Sequence, residues 1–276
     1  MTTTLRPEGP EEPVAGGGRS RRWQILVNGH PVGGLRTTAR RRAGEISELA
    51  VRLGRRRGRA TVAALAAEEV LRDWGCTRID VTVPEEAGPA LGLAHALGYT
   101  ERMRNLAKRL DRLPPLPGGL TDRPISAAEY PDWQEAAKAD YRSELIASGL
   151  TPAEAAEKAE TDHRRALPDG PATPGTALRR LVDRDGAVVG TLWVALRQDR
   201  LPDGRPLAWV MVVEVDPAHR GRGHGRALMQ LAERECLAAG VRDLGLNVFS
   251  DNRVAIGLYD SLGYRITRRT LGKPLI

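Results

Sequence analysis

The sequence predicts an α+β protein organised as a tandem pseudo-repeat, and three observations carry that prediction. Stretches with strand-like alternation trade places with stretches of helical periodicity along the chain. Residues Val213 to Leu228 read as a strand, a basic glycine loop and the first turn of a helix. A set of residues in the first half recurs in the second at a constant offset of 165 positions.

Taken in order, residues 1–20 are rich in Thr, Pro, Gly and Glu and are expected to be a disordered tail. Trp23 to Val27 begins a strand, Asn28-Gly29 is a hairpin signal, and Val32 to Thr38 is the return strand. Glu45 to Val51 gives a third strand. Ala60 to Trp74 has Val62, Leu65, Ala66, Val70 and Leu71 at helical spacing, and Gly75 ends it. Ile79 to Val83 is a strand and Pro89 to Leu97 a short helix. Pro114, Pro115, Pro117 and Gly118-Gly119 mark a linker over 113–120.

The second half restarts with added material. Ser126 caps a helix expected to reach about Ser148, and Thr151-Pro152 opens another. Strands follow at Ala177–Asp183 and Val188–Leu196 with Asp185-Gly186 as their turn, then at Leu207–Val215. The helix after the glycine loop puts Leu228, Leu231, Ala232, Cys236 and Ala239 on one face and stops at Gly240. Leu244–Phe249 is a strand, and Asn252–Leu262 a helix closed by Gly263.

The repeat is ungapped over its central region. Arg55, Arg57 and Gly58 fall on Arg220, Arg222 and Gly223, and Ala67-Glu68 falls on Ala232-Glu233. Gly75, Val83 and Gly92-Leu93 fall on Gly240, Val248 and Gly257-Leu258. Leu97-Gly98-Tyr99 falls on Leu262-Gly263-Tyr264, and Lys108 on Lys273. The expected division is therefore a tail (1–20), a degenerate half (21–112), a linker (113–120) and a complete domain (121–276).

Charge is unevenly spread. Residues 1–112 hold 20 Lys+Arg against 13 Asp+Glu, whereas 113–276 hold 22 of each. The basic clusters at Arg40–Arg42 and Arg55–Arg59 raise nucleic acid as a partner, but neither a recognition-helix nor an aromatic-stacking signature accompanies them. That partner is ranked last. Two cysteines without a CxxC and five histidines without ligand spacing give neither a disulfide framework nor a metal site. No apolar run of about 18 residues occurs, and the first residues lack a signal-peptide profile, so a cytoplasmic setting without a membrane is expected.

The glycine loop suits an anion. Glycines let backbone N–H groups approach a phosphate, and a helix N-terminus adds unpaired donors and a favourable dipole. A dinucleotide fingerprint is excluded because it would need Gly or Ala where Arg226 stands, and no Gly-Lys-Ser/Thr exists.

Arg220-Gly221-Arg222-Gly223-His224-Gly225, preceded by Val215-Asp216-Pro217 and followed by Asn252 and by Tyr259 to Tyr264, resembles the GNAT superfamily of N-acetyltransferases. The resemblance covers 121–276 as a complete domain; residues 22–112 look like a copy lacking the family's first strand and first two helices. It implies two mixed, mostly antiparallel twisted sheets flanked by helices. It also implies acetyl-CoA as co-substrate, no metal, and an amine of a small molecule or peptide as acceptor.

By that resemblance, Val213 and Val215 offer backbone groups to the pantetheine arm, and Arg220, Gly221, Arg222, Gly223, His224, Gly225 and Arg226 hold the pyrophosphate, with Asn252 as a further CoA contact or a helix cap. The amine attacks the thioester directly, and Tyr259 protonates the leaving thiolate. Glu214 stands as the base because Asn247 occupies the strand position where some relatives carry Glu. Tyr141, Glu144 and Trp193 are acceptor-site candidates. In the first half Ala87 and Ala94 replace Asn252 and Tyr259, so that half is expected to be catalytically silent and structural. A non-catalytic CoA-binding module is the alternative function. A monomer with an internal pseudo-dimer and a homodimer both fit the repeat.

Overall fold

A computed structural model of the chain describes residues 2–14, 17–52, 58–147, 150–201 and 203–275. It divides into two units, the first comprising 1–106, 247–256 and 266–276, the second 107–246 and 257–265.

In chain order the first half forms β1 (Thr3–Pro7), β2 (Glu12–Pro13), β3 (Arg19–Val27), β4 (His30–Arg40) and β5 (Ala43–Val51), then α1 (Arg59–Asp73), β6 (Arg78–Pro84), α2 (Gly88–Ala96) and β7 (Thr100–Arg109). The second half forms β8 (Thr121–Pro124), α3 (Tyr130–Ala147), α4 (Pro152–Ala166), β9 (Thr176–Val182), β10 (Val188–Arg200) and β11 (Pro206–Val215), then α5 (His224–Ala238), β12 (Asp243–Phe249), α6 (Arg253–Ser261) and β13 (Arg265–Pro274). The architecture is mixed α+β, with six α-helices among the described residues.

Local chemistry accounts for the expected elements. Asn28 adopts φ 49°, the left-handed conformation that a tight hairpin between β3 and β4 requires. Trp23, Ile25 and Val27 alternate inward on β3 and share one core with Ala63, Ala67 and Leu71 on the buried face of α1. Thr151 and Glu154 form a reciprocal capping box that starts α4, with Pro152 in its first turn.

The described residues of 1–20 are not a disordered tail. Thr3–Pro7 pairs antiparallel with Trp23–Val27, so polar β1 finds partners for its backbone on an existing sheet edge. The first half therefore has an outermost strand where none was expected. Among the described residues no helix lies between β1 and β3, where the family's first two helices would be, and β2 falls there instead. Ser126 caps the turn leading into α3, which begins at Tyr130 and ends at Ala147.

Two strands had no clear periodic signal, β7 and β13, and they determine how the units close. β13 pairs antiparallel with β6 from Arg268↔Pro84 to Pro274↔Arg78, both within the first unit. Residues 107–110 belong to the second unit, where Leu110 N donates to Arg242 O at 2.7 Å. Each unit is thus completed by chain from the other half of the sequence. The 113–120 segment joins β7 to β8 without regular structure.

Both units share one irregularity. β11 pairs in parallel with β12 only from Leu207↔Asp243 to Trp209↔Gly245, then diverges. A bulge opposite Trp193/Val194 inserts Met211 and bends β11. At the last paired position a Cβ on Gly245 would lie 2.4 Å from the Trp209 ring, so only glycine fits there. In the first unit β5 pairs with β6 only from Ala43↔Arg78 to Glu45↔Asp80, and β4–β5 carries a register shift of its own.

Candidate active site

Beyond Trp209, the edge of β11 that pairs with β12 has no ladder partner among the described residues, which leaves Val210 to Val215 beside an open gap. Opposite residues on paired strands share a face, so Glu214 lies with Thr191, and Val212 with Trp193. Val213 and Val215 point to the other face, toward α5. Glu214 is exposed, and Val213 and Val215 are half-buried.

The chain leaves β11 through a short turn. Asp216 Oδ1 accepts the Ala218 N–H at 2.9 Å and fixes the 3-10 turn at Pro217–His219. Gly221 (φ 76°) and Gly223 (φ 86°) adopt left-handed backbone, and Gly223 caps α5 without any side chain. The amides of Gly221, Arg222, Gly223, His224 and Gly225 have no acceptor among the described residues. Five consecutive free donors at a helix start make an anion site.

The arginines divide. Arg222 is exposed beside this loop. Arg220 Nε donates to Val215 O at 3.3 Å, and Arg226 Nη2 donates to Ser261 Oγ at 2.7 Å. Arg226 therefore ties α5 to the end of α6 in this conformation rather than facing the loop. His224 packs 6.2 Å from His219, and desolvation, with the neighbouring His219 and Arg222, lowers its pKa. Asn252 Oδ1 accepts the Ala255 N–H at 3.1 Å and caps α6.

Tyr259 is 9% exposed and stands edge-on to Tyr264 at 6.0 Å. Its hydroxyl has no hydrogen-bond partner among the described residues, and burial raises its pKa above that of free tyrosine. Beneath it, Tyr264 Oη and Lys108 Nζ both donate to Glu233 Oε1, at 3.3 and 2.6 Å. The first unit repeats this base with Tyr99, Lys273 and Glu68. The helix ends match as well: Tyr99 N bonds Ala94 O and Tyr264 N bonds Tyr259 O, both at 3.0 Å. Ala94, at the place of Tyr259, is buried and offers no acid. Ala87 begins α2 with no side-chain cap. The arginine loop Arg55–Arg57 lies outside the described residues.

On the face of Glu214, Trp193 is buried and meets Trp133 of α3 nearly perpendicularly at 5.8 Å. His163 of α4 lies 5.5 Å from Trp193 and 6.1 Å from Tyr141. Tyr141 Oη donates to Asp162 Oδ2 at 3.0 Å; desolvation and that carboxylate raise its pKa. Glu144 reaches the surface, yet partial desolvation and Asp140 raise its pKa. Tyr141 and Trp193 thus share one cluster, which Glu144 is not seen to join. Trp133 and His163 were missed by sequence reasoning. A signal existed: Trp133, Ala137 and Tyr141 recur every four residues on α3, as do Ala155, Ala159 and His163 on α4.

Among the described residues no group of three or more His, Cys, Asp or Glu side chains is arranged to hold a metal, and no helix is long and apolar enough to cross a membrane.

Two sheet units with a diverging strand pair and an amide-lined glycine loop define an acetyltransferase fold in tandem. The sequence matches the family model described as Acetyltransferase (GNAT) family over residues 4–99 and again over 132–264. The chain belongs to the GNAT family. Among its relatives, a mycothiol acetyltransferase from Kytococcus sedentarius is 30% identical over 166 residues, 58% of this chain and 51% of that protein. One from Nocardiopsis dassonvillei is 41% identical over 83 residues, 29% and 25% of the two chains. The chain thus spans about half of the first of these curated relatives and a quarter of the second. The crystal structure of a GCN5-related N-acetyltransferase from Sphaerobacter thermophilus superposes with TM-score 0.61 at 21% identity, over 92% of this chain and 80% of that one. A tandem GNAT protein from the clavulanic acid biosynthesis pathway gives 0.51 at 21% identity, over 95% and 84%.

Proposed function

We propose that the second half transfers an acetyl group from acetyl-CoA to a primary amine of a small molecule or peptide, and that the first half is structural. The observation that carries this is the gap beside Val210–Val215 running toward five unpaired amides at the start of α5. An extended pantetheine arm fits the unpaired strand edge, with Val213 and Val215 supplying backbone groups, and the pyrophosphate fits the amides of Gly221 to Gly225. Arg220 and Arg222 add positive charge at the loop, and Asn252 caps α6. Arg226 would have to release Ser261 to join them.

In this reaction the acceptor nitrogen attacks the thioester carbonyl carbon, the C–N bond forms, and the C–S bond breaks. The thiolate takes the proton of Tyr259, whose raised pKa keeps the phenol protonated at neutral pH. Glu214, exposed on the acceptor face, takes the proton the amine loses. Relatives named mycothiol acetyltransferase favour a small-molecule acceptor.

The test is CoA release followed with a thiol reagent across an amine panel, with the wild type beside Tyr259→Phe. Turnover that collapses in the variant supports the proposal. CoA binding with no turnover by any amine favours a non-catalytic CoA-binding module instead.

A further inference from the structure

The aromatic cluster between α3, α4 and β10 carries a chemical pattern that packing does not require. His163 Nδ1 lies 3.2 Å from the carbonyl oxygen of Ala159. A carbonyl only accepts, so Nδ1 carries the proton and Nε2 of the neutral ring carries a lone pair. That Nε2 is buried with no hydrogen-bond partner, in a residue only 6% exposed. The indole Nε1 atoms of Trp133 and Trp193 are buried without partners as well, in residues 4% and 3% exposed. One acceptor and two donors, on rings 5.5 and 5.8 Å apart in sequence from His163 to Trp193 to Trp133, are therefore left unmatched. Burying any one such group is costly, and a donor for the imidazole and an acceptor for the indoles are what they lack.

The position suits an acceptor. Trp193 is directly opposite Val212 on β11, and Val212 packs against the same cluster, one residue from Val213. Tyr130, Tyr141 and Val212 are half-buried around it. Aromatic faces also favour a cationic amine. Desolvation holds the imidazole neutral, and Lys138 from α3 acts in the same sense against Asp162 and Glu160 on α4.

We propose that Trp133, His163 and Trp193 form the acceptor pocket: His163 Nε2 accepts an N–H of the amine to be acetylated, and the indole N–H groups donate to an oxygen on the neighbouring carbon. The substrate class is then a primary amine with an adjacent hydroxyl or carbonyl, which rests on the acetyl-transfer function proposed above.

The test uses the full chain with 15N-labelled histidine, and 2-aminoethanol against ethylamine as probes. The His163 Nε2 resonance, initially of the unprotonated type, is expected to move as 2-aminoethanol is added, with tryptophan fluorescence changing in parallel. Ethylamine is expected to bind roughly ten-fold more weakly. Trp133→Phe and Trp193→Phe should erase that preference while acetyl-CoA affinity stays unchanged, and His163→Leu should weaken both amines. His163 signals that ignore both probes, or a preference that survives both Trp→Phe variants, overturn the proposal. The wild-type spectra decide this even where a variant does not fold. Amine binding without acetyl-CoA consumption would refute acetyl transfer and leave the pocket standing. Acetylation of 2-aminoethanol with unmoved His163 signals would do the reverse.

Discussion

Lys273 Nζ donates to Glu68 Oε2 at 2.8 Å, joining the last strand of the sequence to the first helix of the first unit. Glu68 is nearly fully buried and also accepts the Tyr99 hydroxyl at 2.9 Å. Lys108 and Glu233 make the equivalent contact in the second unit. Each buried carboxylate thus takes its tyrosine from its own half of the sequence and its lysine from the other half.

Removing that lysine should be costly. Lys273→Met leaves Glu68 buried with Tyr99 as its remaining donor, and we expect a loss of about 3 kcal/mol in urea unfolding. Adding Glu68→Gln should restore part of it. A single mutant as stable as the wild type would show the pair to be ornamental.

Tyr259→Phe tests the proposed acid. The hydroxyl makes no hydrogen bond among the described residues, so stability should change little, while kcat should fall by about 10² or more. Because the folded-state pKa is raised, the protonated form is favoured by folding. The phenol should stay competent through neutral pH, and the stability tied to its burial should be lost only as pH climbs above about 10. Denaturation midpoints between neutral and alkaline pH, wild type against variant, measure the difference.

Gly223→Ala places a Cβ at φ 86° with open space around it, so backbone strain rather than collision is the cost. About 1 kcal/mol of stability should be lost. Acetyl-CoA affinity, read by calorimetry, should fall as the proposed amide cradle shifts. Undiminished affinity would argue that the loop does not hold the pyrophosphate.

The first half should not acquire activity from a tyrosine. Ala94 is 6% exposed, so Ala94→Tyr overpacks its surroundings at a cost of about 2 kcal/mol and creates no CoA release. Measurable turnover in a Tyr259→Phe/Ala94→Tyr double variant would contradict a silent first half.

Both cysteines are buried, and burial pushes the Cys236 thiol up to about 12 and the Cys76 thiol upward as well. Native protein should therefore stay unreactive toward a thiol reagent at mildly alkaline pH, with both thiols titrating only after unfolding. Early reaction of either would signal local opening of α5 at Cys236 or of the α1–β6 connection at Cys76.

Much of the molecule is legible in its sequence, because local chemistry acts over a few residues. Asn28-Gly29, the Thr151–Glu154 box and the glycine loop each specify their own backbone, and α1, α5 and β9 to β12 follow from apolar periodicity. The offset of 165 identifies the two related units before any contact is known. Other features depend on partners distant in the chain. Thr3–Pro7 is polar and becomes a strand because β3 offers an unpaired edge. β7 and β13 are charged on both faces, so alternation is faint, and only the tertiary structure shows that β13 completes the first unit while the end of β7, from residue 107, belongs to the second. The cluster of Trp133, His163 and Trp193 comes from three elements up to 60 positions apart. Sequence determined which residues could serve an acetyltransferase; packing alone decided which strand closes each unit and which polar atoms are buried without partners.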